Sequence, residues 1–76
     1  MSAGNMVHMA NQIALFFKAY PRDKAIAGIA DHLTKFWEAR MLGQLHQYAS
    51  GGGAGLDPFV IEAERLLSEK AAEKAG

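Results

Sequence analysis

Apolar side chains return every three or four residues along this 76-residue chain, in four short runs parted by a proline, an unmarked step and a cluster of glycines. That spacing is the period of an amphipathic helix, so the chain is expected to be all-α, a small bundle of about four short helices. The first run, about Asn5–Ala19, gathers Met6, Met9, Ala10, Ile13, Ala14, Phe16 and Phe17 into one arc, with Tyr20 continuing it, and sets His8, Asn11, Gln12 and Lys18 opposite. An arc of about half the circumference is wider than one neighbouring helix requires, which predicts that this helix touches two surfaces. Leu15 projects further round, into the polar side.

Pro21 closes the first helix and suits the first turn of the next, because proline disfavours helical geometry in the residue before it while its own fixed φ is helical. The second helix, about Arg22–Phe36, aligns Ala25, Ile26, Ile29, Ala30, Leu33 and Phe36, with Trp37 at the edge of the stripe. Gly28 and His32 border it. A mid-helix glycine costs up to about 1 kcal/mol against alanine, which is sensible where another backbone comes close. No strong breaker stands in Trp37-Glu38-Ala39-Arg40, and a third segment, about Ala39–Tyr48, presents Met41, Leu42, Leu45, Tyr48 and Ala49 together.

Ser50 to Leu56 reads as a flexible glycine-rich connector, and Asp57-Pro58 as an N-cap followed by proline at the first helical position. The last helix aligns Phe59, Val60, Ala63, Leu66 and Leu67, after which Glu69, Lys70 and Glu73 take the positions that would extend the stripe. Packing is therefore expected to stop near Leu67. Residues 1–67 read as a single helical domain and residues 68–76 as a mobile Lys/Glu/Ala-rich tail.

A fold this small commonly leans on disulfides, a metal or a partner surface. The chain has no cysteine, which removes the first support and the commonest metal ligand, and leaves a protein partner. Eight Lys plus Arg balance eight Asp plus Glu, so no positive field draws in nucleic acid or an anionic membrane. No apolar run has the length of a membrane span, the N-terminus lacks the pattern of a secretory signal, and the cytoplasm is the expected compartment.

The inventory of chemistry is thin. His8, His32 and His46 fall in three segments, none with a second histidine or a carboxylate at metal-site spacing, and His32 reads as a half-buried core-edge residue. Gly51-Gly52-Gly53-Ala54-Gly55 follows a helix rather than a strand and lacks the Lys-Ser/Thr ending of a phosphate loop. The acids Asp23, Asp31, Glu62, Glu64, Glu69 and Glu73 read as solvated or capping groups, with none in an apolar setting that would raise its pKa. Arg22, Lys24, Lys35 and Arg40 make an ordinary mixed surface beside Asp23, Asp31 and Glu38. No catalytic, cofactor-binding or metal-ligating residue is assigned.

The rings say more. Phe16, Phe17, Tyr20, Phe36, Trp37, Tyr48 and Phe59 are more large aromatics than four short helices readily enclose, so some are expected at the surface. Phe17 and Phe36 are expected in the core. Trp37 and Tyr20, at helix ends beside Arg40 and Pro21, suit the aromatic and arginine composition of interface hot spots, and Leu15, Tyr20, Trp37, Arg40 and Met41 are the expected partner contacts.

In order along the chain, Met9-Ala10-Asn11-Gln12-Ile13, Phe16-Phe17, Tyr20-Pro21, Gly28-Ile29-Ala30-Asp31-His32-Leu33, Lys35-Phe36-Trp37, Arg40-Met41 and Gly55-Leu56-Asp57-Pro58 form a specific set. With it the sequence resembles the delta subunit of cytoplasmic, NAD-dependent, molybdenum-containing formate dehydrogenase, over about Val7 to Leu67. The resemblance implies a non-catalytic subunit, binding no cofactor of its own. Its large alpha subunit would hold a molybdenum–pterin guanine dinucleotide cofactor and iron–sulfur clusters, and other subunits would pass electrons through FMN to NAD. It implies a role in assembly or stability of the holoenzyme. From the residues themselves, docking on the alpha subunit is expected through the outer edge of the first two helices and the Trp37–Met41 corner. Two rival readings remain: a transient assembly chaperone for the cofactor-free large subunit, and a small helix-turn-helix DNA-binding protein, which the zero net charge opposes.

Overall fold

The computed structural model describes residues 2–75, with side chains described through Ala71. Four helices follow one another: α1 (Ala3–Phe17), α2 (Arg22–Phe36), α3 (Ala39–Ser50) and α4 (Pro58–Ala75). Expectations for the side chains of residues 72–75 and for Gly76 lie outside the described residues.

Each boundary has a local cause. The Ser2 hydroxyl caps α1 by accepting the Asn5 N–H at 3.2 Å. Pro21 takes the N-cap place of α2 with φ −53° and ψ 149°, and its carbonyl accepts the Ala25 N–H at 2.8 Å. The step between α2 and α3 is made by two extended residues, Trp37 (ψ 136°) and Glu38 (ψ 154°), although neither is a helix breaker. Asp57 caps α4 as its sequence predicts, accepting the Phe59 N–H on its carboxylate at 2.9 Å, with Pro58 as the first helical residue.

The most extensive helix pair is α2 with α4; α1 packs on both, and α3 rests chiefly on α4. The expectation that α1 touches two surfaces is met. Met6, Ala10 and Ala14 of α1 are buried, and small residues at two of these places let the helix approach closely. Ala25, Ile26, Ile29, Ala30 and Leu33 fill the centre from α2, and Leu45 of α3 and Val60 and Ala63 of α4 complete it. Ile29, Leu33, Leu45 and Val60 are fully enclosed, each contributing about 1.5–3 kcal/mol by leaving water.

Three expectations are corrected. Phe36 and Trp37 exchange places: Phe36 is 72% exposed and Trp37 only 7%, because the chain leaves helical geometry at Trp37 and turns its indole inward. The approach to Gly28 is by a ring rather than a backbone, since a Cβ there would lie 2.5 Å from Cε1 of Phe17. The glycine-rich segment is a built corner rather than a loose linker. The Gly53 N–H bonds the Tyr48 carbonyl at 2.9 Å, the Tyr48 hydroxyl donates to the Ala54 carbonyl at 2.6 Å, and Leu56 is buried. Gly52, Gly53 and Gly55 have positive φ, and at Gly53 (φ +63°) a Cβ would also press on Ile61, so glycine is required there by both backbone and space. Packing ends near Leu67 as expected: Ser68, the next residue, is half-buried and bonds to α3, and Glu69, Lys70 and Ala71 are exposed.

Candidate functional site

Two features stand apart from the core. The first is an apolar face on α1 and the corner after it. Leu15 (65%), Phe16 (66%) and Tyr20 (50%) are exposed, and Met9, one to two turns back on α1, is partly so. Phe16 meets Phe17 edge-on with centroids 5.1 Å apart, and Phe17 lies 5.9 Å from Tyr20, so three rings form a continuous cluster. The Phe17 ring can sit against α2 because Gly28 carries no side chain. Cations flank the same corner: Lys18 and Arg22 stand 5.7 and 6.0 Å from the centre of the Phe59 ring, and Lys18 also pairs with Asp57.

Of the residues expected to contact a partner, Leu15 and Tyr20 belong to this face. Arg40 is exposed and Met41 half-buried in the first turn of α3. Trp37 lies in the core between these two groups in sequence, without the exposed area that a docking contact uses in this conformation. The spacing puts Phe16 in the apolar arc of α1, and the excess width of that arc is the one signal of its exposure.

The second feature is a polar cluster between α3 and α4. His46 Nδ1 lies 2.9 Å from Glu64 Oε1 and 2.9 Å from Ser68 Oγ. Glu64 is 5% exposed, and burial pushes its carboxyl above the ordinary value of 4.5, an effect that the hydrogen bond and charge of His46 oppose. This corrects the expectation of a solvated carboxylate. Sequence spacing could not place Glu64 beside a residue 18 positions earlier. The trio is not a hydrolytic triad, because serine and carboxylate address the same ring nitrogen, whereas a relay runs from one nitrogen of the imidazole to the other. Among the described residues no group of three His, Cys, Asp or Glu is placed to hold a metal ion. The mixed surface of α2 includes an ion pair of Lys35 with Asp31 at 3.0 Å. No described helix is long and apolar enough to cross a membrane.

The profile of the NADH-dependent formate dehydrogenase delta subunit family, FdsD, matches residues 5–63. The chain belongs to that family. The matched span takes in α1 to α3, the glycine corner and the start of α4, and therefore both the exposed α1 face and His46 of the polar cluster. Glu64 and Ser68 follow directly after it. Searches of curated proteins and of solved structures give no match. As a delta subunit, the chain is a component of a formate dehydrogenase and is placed in a complex with other subunits.

Proposed function

We propose that this chain is a non-catalytic accessory subunit of a formate dehydrogenase complex, packing against the large molybdenum-cofactor subunit and supporting assembly or stability of the holoenzyme. The observation that carries the proposal is the family match over residues 5–63. It is supported by the make-up of the chain, which is small, lacks cysteine and leaves Leu15, Phe16 and Tyr20 exposed on one helix and its corner. Exposed aromatic clusters with neighbouring cations have the composition of interface hot spots. In this reading the molybdenum–pterin cofactor, iron–sulfur clusters, FMN and NAD belong to the other subunits, and the complex is cytoplasmic. The delta chain contributes surface.

The test is co-purification of tagged large subunit with delta chains carrying Leu15→Ser, Phe16→Ser and Tyr20→Ser together. These side chains are exposed, so circular dichroism of the isolated variant is expected to match the wild type. Loss of the delta chain from the complex, with reduced yield of active formate dehydrogenase, is the expected result. Full recovery of an equimolar delta chain with undiminished formate oxidation would exclude this docking face.

A further inference from the structure

α3 differs from the other helices in how it is held. It has one fully buried side chain, Leu45, whereas α2 has five buried residues, and its main contact is with α4 alone. Both of its ends are corners of extended or positive-φ backbone: Trp37 and Glu38 before it, Gly52, Gly53 and Gly55 after it. Beside it a hollow of about 430 Å³ opens between α2, α3 and α4, lined by Thr34, Leu42, His46, Glu64, Leu67 and Ala71 among others. The inner edge of α3 is thus incompletely filled. Among the described residues every side-chain hydrogen bond between α3 and α4 passes through His46.

We propose that α3 is a hinged flap, latched onto α4 by His46, Glu64 and Ser68, and that the latch loosens as pH rises. His46 Nδ1 faces two oxygens, that of the Glu64 carboxyl and that of the Ser68 hydroxyl, each at 2.9 Å. Histidine is the side chain that changes charge near neutrality, and a charged imidazole supplies the buried carboxylate with a counter-ion. As pH rises, Glu64 gains a charge in a buried place, and the cost of that burial exceeds what the bond and charge of His46 return, so the open position, where the carboxylate is solvated, is favoured. The remaining groups around Glu64 do not replace that cation. Arg65, on α4 itself, directs its guanidinium to Glu62 at 3.8 Å, and α2 offers only Thr34, whose hydroxyl donates to the Ala30 carbonyl at 2.9 Å. Because Arg40 and Met41 form the first turn of α3, the latch also governs where that turn stands on the surface.

Native-state amide hydrogen exchange of the full chain, corrected for intrinsic rates, tests this. The amides of α3 from Leu42 to Tyr48 are expected to open more readily than those of α2 and α4, with protection falling about tenfold from about pH 5 to about pH 8. Glu64→Gln keeps an acceptor for His46 without a titrating charge and is expected to abolish that fall. Ser68→Ala, a milder change, is expected to lower α3 protection about threefold at every pH while leaving α2 unchanged. The proposal is overturned if α3 protection equals and parallels that of α2 and α4 across the range. It is equally overturned if Glu64→Gln leaves the pH dependence in place, or if Ser68→Ala leaves α3 protection unaltered.

Discussion

The carboxamide oxygen of Asn11, in the middle of α1, accepts the backbone N–H of Asp57 at 2.8 Å, while its amide donates to the Gly55 carbonyl at 2.9 Å. One side chain thereby holds both sides of the corner that starts α4. Asn11→Ala removes both bonds and leaves a part-buried N–H without its partner, at a cost of about 1–3 kcal/mol. Asn11→Asp is expected to be no better, because its second oxygen faces the Gly55 carbonyl, acceptor against acceptor. Thermal denaturation checks this: a loss of about 1 kcal/mol lowers Tm by about 4–8 °C in a domain of this size. A midpoint unchanged in Asn11→Ala would exclude the clamp as a stabilising contact.

Gly28 and Phe17 give a prediction whose sign depends on the background. Exchanging a mid-helix glycine for alanine ordinarily gains up to about 1 kcal/mol. Here the new Cβ would stand 2.5 Å from Cε1 and 2.7 Å from Cδ1 of Phe17, so the ring must leave its seat and disturb its contacts with Phe16 and Tyr20. Gly28→Ala is expected to destabilise the chain by about 1 kcal/mol and to alter its near-ultraviolet circular dichroism. In a Phe17→Ala background the same exchange is expected to stabilise. Urea denaturation of the four chains completes the cycle, and a stabilising Gly28→Ala in the wild type would refute it.

Phe36 and Trp37 are adjacent, yet their truncation is expected to differ widely. Trp37→Ala empties a place in the core and is expected to cost about 3–5 kcal/mol, enough to abolish cooperative unfolding in so small a domain. Phe36→Ala removes a 72% exposed ring whose neighbour is His32, at 4.7 Å between centroids, and is expected to change stability by about 0.5 kcal/mol or less. Urea midpoints of the two variants decide it, and a reversed order would show that Phe36, not Trp37, belongs inside.

That pair also marks the limit of what periodicity can read. The start of α2 at Pro21, the cap at Asp57 and the inward faces of α1 and α2 follow from spacing and cap chemistry, which are local. Whether Phe36 or Trp37 turns inward depends on where the helix ends, and nothing in Trp37-Glu38 marks the end by itself. Asn11 was legible only as a polar residue opposite an apolar arc, because its partners lie 44 and 46 residues away. Glu64 reads as solvated for the same reason: its partner His46 stands on α3, which the sequence does not bring near. The α1 face is visible in part, since an arc too wide for one neighbour must leave something outside, and the spacing itself puts Leu15 on the outer side. Which further ring joined it depended on how α2 and α4 divide that arc.

Glu64 fixes how overall stability should vary with acidity. Burial raises its folded-state pKa above the ordinary 4.5, so the folded chain holds a proton that the unfolded chain has already released. Stability from this group is therefore complete below about that ordinary value and declines as pH rises through the folded-state pKa. Glu64→Gln removes the titrating group, keeps an oxygen toward His46, and is expected to flatten this part of the profile and to leave the variant at least as stable as the wild type near neutrality. Urea unfolding measured at intervals from acid to neutral pH checks it. A wild-type profile that gains stability across this range through Glu64, and loses that gain in the glutamine variant, would mean that the attraction of His46 outweighs the cost of burial.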